Sequence, residues 1–235
     1  MSKHCARYER LSSEELKDKY IDAIFIIPIG SIEQHCSGPL GLDSILAENI
    51  SLELCKGIDN SVLLPTIYYG FSPEWINSNG TISLDLMGFI SLIKSILTSL
   101  YNNGVKKIVI INGHGGNSGI LEAILRELVN NFERNTILLL VNYWKILKLN
   151  IGHSGNTEEK IAKLFGIDNI TNCKGVVELN DSGIKIIVKG PEIPSCSNEV
   201  FDKELKLEEV IDSIKNEILN SIEKSKKIDA NYFIL

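Results

Sequence analysis

Apolar residues in this chain fall into two kinds of block, short unbroken runs and longer periodic stretches, and their alternation predicts the architecture. The run over residues 22–28 is strand-length, rich in Ile and closed by Pro28 and Gly30, which predicts a strand buried on both faces. Residues 107–111 (Lys-Ile-Val-Ile-Ile) repeat that pattern, and 62–64 and 136–141 supply two further strands. Between them lie periodic stretches. Residues 44–56 predict a helix with Ile45, Ala47, Ile50, Leu52 and Leu54 as its apolar contacts and Gly57 as its stop. Residues 84–101 predict a strongly apolar helix ended by Asn102-Asn103-Gly104, and 118–130 predict another. Serine before glutamate in Leu11-Ser-Ser-Glu-Glu-Leu16 marks a helix start, and Asn79-Gly80-Thr81 marks a turn. Strand alternating with helix means an α/β fold: a mostly parallel sheet, covered on both faces and wound right-handed. Beyond 175 the pattern weakens to short strands at 176–178 and 184–188, joined as a hairpin across Asn180-Asp-Ser-Gly183, and an amphipathic helix near 205–224.

At 235 residues, 44% of them hydrophobic, the chain can bury one substantial core, and a single domain over 1–235 is expected. A net charge of −6, with no dense Lys/Arg cluster outside the last helix, argues against nucleic acid and for a small or neutral substrate. No apolar stretch approaches a membrane span, and the polar start lacks a signal-peptide core, so no membrane partner and a cytoplasmic location are expected. Five scattered cysteines without a CxxC pair predict reduced thiols rather than a disulfide framework.

The chemistry gathers after the predicted strands, where α/β folds place their sites. Glu33 and His35 lie two apart beyond the first strand, so in extended chain they point the same way, and a loop returns Asp43 toward them. Carboxylate with imidazole suits Zn, Fe, Mn or Co, and a carboxylate can bridge two ions. The alternative is two solvated loop carboxylates beside a packed histidine. Asn112-Gly-His-Gly-Gly-Asn117 presents His114 at the same edge, and neither phosphate-loop spacing is present. In Gly152-His-Ser-Gly-Asn-Thr-Glu-Glu159, Asn156 three before Glu159 predicts a capping box, which accounts for Glu159 and, through the helix dipole, for Glu158, but leaves His153 unexplained. Three of the four histidines thus fall on loops after strands. Cys36, beside His35, could serve as a nucleophile or ligand, but reads more simply as a filler. Trp75 and Trp144 could line a pocket or merely pack.

Taken together these blocks resemble the creatininase (creatinine amidohydrolase-like) family of metal-dependent amidohydrolases. Ile27-Pro-Ile-Gly-Ser-Ile-Glu-Gln-His35 with Asp43 and Glu48, Tyr69-Gly-Phe-Ser-Pro-Glu74 with Asn79-Gly-Thr-Ile-Ser83, Ile110-Ile-Asn-Gly-His-Gly-Gly-Asn117, and His153-Ser-Gly with Glu158 carry it, across about 22–166, with 176–225 completing the domain. The resemblance implies a three-layer α/β/α domain and one or two divalent ions (Zn, Fe or Mn). Glu33, Asp43 and His114 would hold one ion, Asp43 and His35 the other, with Asp43 bridging. His153 would transfer protons, and Glu158 would be catalytic or an added ligand. Trp75, Gly115, Gly116 and Trp144 would line the substrate pocket. The implied activity is hydrolysis of a non-peptide C–N bond in a small cyclic or linear amide, by a homo-oligomer, in this family often a hexamer. The alternatives are a deformylase acting on a formylaminopyrimidine of flavin or deazaflavin synthesis and a non-catalytic, ligand-binding member. The chain departs from the family pattern in several places: a histidine of the loop to Asp43 is absent, and the common His-Ala-Gly-Glu run has become His153-Ser-Gly-Asn156. The loop to Asp43 is one residue short, Gly116 stands where true creatininases carry a glutamate ligand, and Trp75 stands where many members have histidine.

Overall fold

A computed structural model describes residues 5–149, 152–168, 170–177, 190, 192–197 and 204–226. The four predicted strands, joined by a two-residue strand at the amino end, form one parallel sheet: β1 (Ala6–Arg7), β2 (Ile24–Ile29), β3 (Ser61–Leu63), β4 (Lys107–Asn112) and β5 (Ile137–Asn142), in spatial order β1-β3-β2-β4-β5. Every pairing is parallel, with Ile26 opposite Leu63 on one side of β2 and Val109 on the other. The capping box foreseen at the amino end forms around α1 (Ser13–Glu15): Ser12 and Glu15 exchange bonds with each other's backbone.

Alternation along β2 and β4 divides the core into two apolar layers. Ile24, Ile26, Val109 and Ile111 face α2 (Leu42–Gly57), α6 (Asn156–Lys163) and α7 (Leu207–Ser225). Phe25, Ile27, Ile29, Ile108 and Ile110 face α3 (Leu86–Asn102) and α4 (Ser118–Leu128). The result is the three-layer α/β/α fold. Helix bounds lie within two residues of those predicted; Asp85 caps α3, and Gly104 at φ +88° turns the chain after it.

The connection from β2 returns beside it at β3, and the next one places β4 on its other side. This reversal opens a crevice beyond the carboxyl ends of β2 and β4, the usual location for a ligand in such sheets. Gly113 allows the crevice to close: a Cβ there would collide with the Asp43 carbonyl at the start of α2.

Three expectations need correction. Asn156 does not cap α6. Gly155 is the residue in the cap position, and Glu159 instead accepts from Thr171 and pairs with Lys163. The cysteines are not all reduced, since Cys5–Cys55 and Cys36–Cys173 are disulfides. Their partners stand 50 and 137 residues apart, and only the folded sheet brings them together. Finally, β1 and β7 (Ser195–Ser197) were not foreseen, because two or three residues carry no readable period; β7 pairs in parallel with β6 (Gly175–Val177), which falls at the short strand expected over 176–178. The expected hairpin at 180–183 and the strand at 184–188 lie outside the described residues.

Candidate metal centre

Three carboxylates and three imidazoles converge in the crevice, almost all excluded from solvent. The loop after β2 delivers Glu33 and His35; Asp43 sits in the first turn of α2, where the helix dipole favours its charge. The turn after β4 delivers His114, the segment before α6 delivers His153, and the first turn of α6 delivers Glu158.

The Asp43 carboxylate is divided between two partners. Oδ2 lies 3.0 Å from His114 Nδ1 and accepts from Ser31 Oγ at 2.7 Å, while Oδ1 lies 3.2 Å from His35 Nε2. Glu33 Oε1 is 3.4 Å from the same His114 nitrogen, and Glu158 Oε1 is 3.9 Å from His35 Nε2. Donors around one tetrahedral ion at 2.0–2.2 Å stand roughly 3.4 Å apart, so these spacings suit ligands sharing an ion. Two such sets meet at Asp43: Glu33 and Asp43 both approach His114 Nδ1, and Asp43, His35 and Glu158 place one donor atom each within 4.8 Å of one another. Glu33 Oε2 is buried without a hydrogen-bond partner among the described residues, an acceptor that a cation would satisfy.

Each imidazole is oriented from behind, as metal-ligating histidines are. His35 donates from Nδ1 to the Glu33 carbonyl at 3.1 Å, leaving Nε2 toward Asp43. His114 turns Nε2 to the Phe71 carbonyl at 3.1 Å and to Ser72 Oγ at 3.2 Å, leaving Nδ1 toward the carboxylates. A Cβ at position 116 would strike that anchor, coming within 2.5 Å of His114 Nε2 and 2.7 Å of the Phe71 carbonyl. Glycine at 116 and this placement of His114 therefore go together.

The charges are strongly coupled. Burial disfavours charge on His35, but Asp43, Glu158 and Glu33 override it and raise the imidazole to about 10. For His114, burial is likewise outweighed by Glu33, Asp43 and Glu74, again giving about 10. Burial pushes Glu158 up to about 8 against the pull of His35. Asp43, although buried, is held well below its usual range by His35 and His114. In the absence of a cation, protons on the two histidines offset the carboxylates; a divalent ion would take their place.

His153 differs. Burial lowers its imidazole, only partly opposed by its hydrogen bond to Glu33, where Nδ1 lies 3.2 Å from Oε1. Its ring stacks on Trp75 with centroids 4.0 Å apart, and its Nε2 accepts from Gln34 Nε2 at 2.7 Å. Glu158 also serves two ends: Oε2 accepts the Ser154 backbone N–H at 2.7 Å while Oε1 faces His35.

A cavity of about 220 Å³ opens onto this cluster, lined by Glu33, Asp43, His153, Glu158 and the four residues expected to line a pocket, Trp75, Gly115, Gly116 and Trp144. Glu74, His114, Gly113 and Gly152 complete the wall. Three contributors had no separate signal. Ser31 holds Asp43, Gln34 holds His153, and Glu74 brings a carboxylate to within 4.0 Å of His114 Nε2. All three lie inside motif blocks, but serine, glutamine and an exposed glutamate are too common to be singled out. No helix among the described residues is long and apolar enough to cross a membrane.

A family model described as "Creatinine amidohydrolase" matches residues 9–166. The chain is 24% identical over 238 residues to a 2-amino-5-formylamino-6-ribosylaminopyrimidin-4(3H)-one 5'-monophosphate deformylase of Methanosphaera stadtmanae, covering 91% of this chain and 99% of the relative. It is 23% identical over 144 residues to a 3-dehydro-scyllo-inosose hydrolase of Thermotoga maritima, covering 60% of this chain but only 46% of that protein, so it spans less than half the relative's length. The solved structure described as "Creatininase Mn" superposes with a TM-score of 0.72 at 18% identity, over 94% of this chain and 98% of that one.

Proposed function

The chain belongs to the creatininase family, and from that premise we propose that it is a metal-dependent hydrolase cleaving a non-peptide C–N bond of a small amide. The observation that carries the reading is the divided Asp43 carboxylate, one oxygen toward His114 and the other toward His35. In this reading Glu33, Asp43 and His114 would hold one divalent ion (Zn, Fe or Mn), and Asp43, His35 and Glu158 would hold a second. Such ions supply Lewis acidity toward an amide carbonyl and make water nucleophilic near neutral pH. Ser31, the Glu33 carbonyl, Phe71 and Ser72 keep the ligand atoms in place. His153, its imidazole lowered by burial, is neutral at pH 7 and can move a proton at Nδ1 to the departing nitrogen. Trp75 holds the plane of that ring, and Trp144 with Gly115 and Gly116 borders the amide.

A second reading makes the amide a formamide. The match over nearly the whole length of the methanogen deformylase supports it, as does a cavity of about 220 Å³, which suits a formylamino group better than a whole nucleotide-like substrate. No lysine or arginine is among the described lining residues, so a phosphate would have to lie outside the cavity.

Metal-reconstituted protein should be assayed against formamides, linear amides and cyclic amides, with release of formate or amine followed. Hydrolysis that a chelator abolishes and a divalent ion restores is the expected result. Formate release as the sole activity selects the deformylase reading, and turnover indifferent to chelation overturns the metal mechanism.

A further inference from the structure

Three cysteines that the metal chemistry does not use meet beside the loop that carries Glu33 and His35. Cys36 is bonded to Cys173, and the Cys196 sulfur lies within 4.8 Å of both of theirs. All three are partly exposed, so small thiols and disulfides can reach them. Cys36 adopts φ +52°, left-handed backbone that disfavours any residue with a Cβ. A side chain is held there at a conformational cost, and the bond to Cys173 is the covalent part of what holds it.

The bond fastens the ligand loop to the elements that seat His153. Gln34 Oε1 accepts the Cys36 backbone N–H at 3.2 Å; Gln34 Nε2 donates to His153 Nε2 at 2.7 Å and to the Ser195 carbonyl at 3.0 Å. On β7, Ser197 bonds the His153 backbone in both directions, its N–H donating to the His153 carbonyl and its Oγ accepting the His153 N–H. Cys196 stands between those two serines, and Cys173 lies just before β6, the strand paired with β7. Loop and ribbon therefore grip His153 from two sides, and Cys36–Cys173 is the covalent link between them.

We propose that Cys36, Cys173 and Cys196 form a reversible thiol–disulfide modification site whose oxidised state fixes Gln34, and through it the ring of His153. A dithiol reductant opens the site: the Cys36–Cys173 bond takes two electrons and two protons to become two thiols, and the reductant becomes its own disulfide. A low-molecular-weight disulfide closes it. One cysteine thiolate attacks that disulfide and expels one thiol, and the second cysteine displaces the other thiol as the protein S–S bond forms. The Cys196 thiolate can displace Cys36 from Cys173 with no net change in electrons. Gln34 is a positioning residue in this scheme. Its effect on turnover rests on the role proposed for His153, but its effect on the His153 ring does not.

The chain has two tryptophans, so Trp144→Phe leaves Trp75, stacked on His153, as the sole reporter. In that background, Trp75 fluorescence and alkylation of intact protein read by mass spectrometry are followed across mixtures of reduced and oxidised dithiothreitol. The fluorescence should change with the same midpoint as the loss of the Cys36–Cys173 bond. The change should vanish in Cys36→Gly, which suits the φ of that position, and persist in Cys5→Ser, which removes only the other disulfide. In Cys173→Ser, a Cys36–Cys196 bond should form on oxidation. Three fully alkylatable thiols before reduction, or a flat Trp75 signal while the bond opens, would overturn the proposal. So would zinc retained by the reduced protein and lost in Cys196→Ser, which would make the cluster a thiolate metal site.

Discussion

Replacing Glu158 by glutamine should stabilise the metal-free protein at alkaline pH while weakening its hold on metal. Burial raises this carboxyl from the ordinary 4.5 to about 8. An acid whose folded value is raised contributes stability that is full below its unfolded value and is lost as pH climbs through the folded one, here between about 4.5 and 8. The gap is about 3.5 pH units at roughly 1.4 kcal/mol each, an upper bound of ~5 kcal/mol. The pull of His35, 3.9 Å away, is already contained in that value, and the window from pH 5 to pH 8 covers only part of the gap. A net loss of about 2–4 kcal/mol for wild type between pH 5 and pH 8 is therefore expected from this group. Glutamine keeps the volume, cannot ionise, and can still accept the Ser154 N–H through its carbonyl oxygen. Urea unfolding of chelator-treated protein should show the two forms similar at pH 5 and Glu158→Gln more stable by about 2–4 kcal/mol at pH 8. With metal restored the order should reverse, because ligand binding stabilises only the form that holds the ion. A variant no more stable than wild type at pH 8 without metal would refute the reasoning, and would mean that Glu158 is already ionised against His35.

For His153→Ala, turnover should fall by roughly 10²–10⁴-fold with metal content retained; parallel loss of metal by elemental analysis would make His153 a ligand instead. Gly116→Ala puts a methyl against His114 Nε2 and the Phe71 carbonyl, so it should destabilise by about 1–3 kcal/mol and lower metal affinity, read by thermal denaturation and competitive chelation. With His35 and His114 near 10 and Glu158 near 8, metal must displace protons at pH 7. Calorimetry in buffers of different ionisation enthalpy should find roughly two to three protons released per chain and an affinity that rises with pH; no proton release would contradict the charge balance described above.

The sheet was legible because its central strands are buried on both faces and so read as unbroken apolar runs: Phe25, Ile27 and Ile29 serve one layer, Ile24 and Ile26 the other. Glu33, His35, Asp43, His114 and His153 were legible because carboxylates and imidazoles stood where predicted strands end, and the structure brings all five together. What escaped depended on distance along the chain. Gln34 contacts His153 across 119 residues, and Cys36 finds Cys173 across 137. The Asn156 capping box failed for a local reason: a pattern of residue types cannot tell which residue begins the helix, and Gly155 occupies that place.

Metal content of protein purified without chelators, measured for wild type beside Glu33→Gln and His114→Ala, tests the central claim most directly. The two sets that share Asp43 predict at least one divalent ion per wild-type chain, and a second where Glu158 is recruited, with marked loss in both variants. Equal and negligible metal in all three proteins, even after exposure to zinc, manganese and ferrous iron, would contradict it.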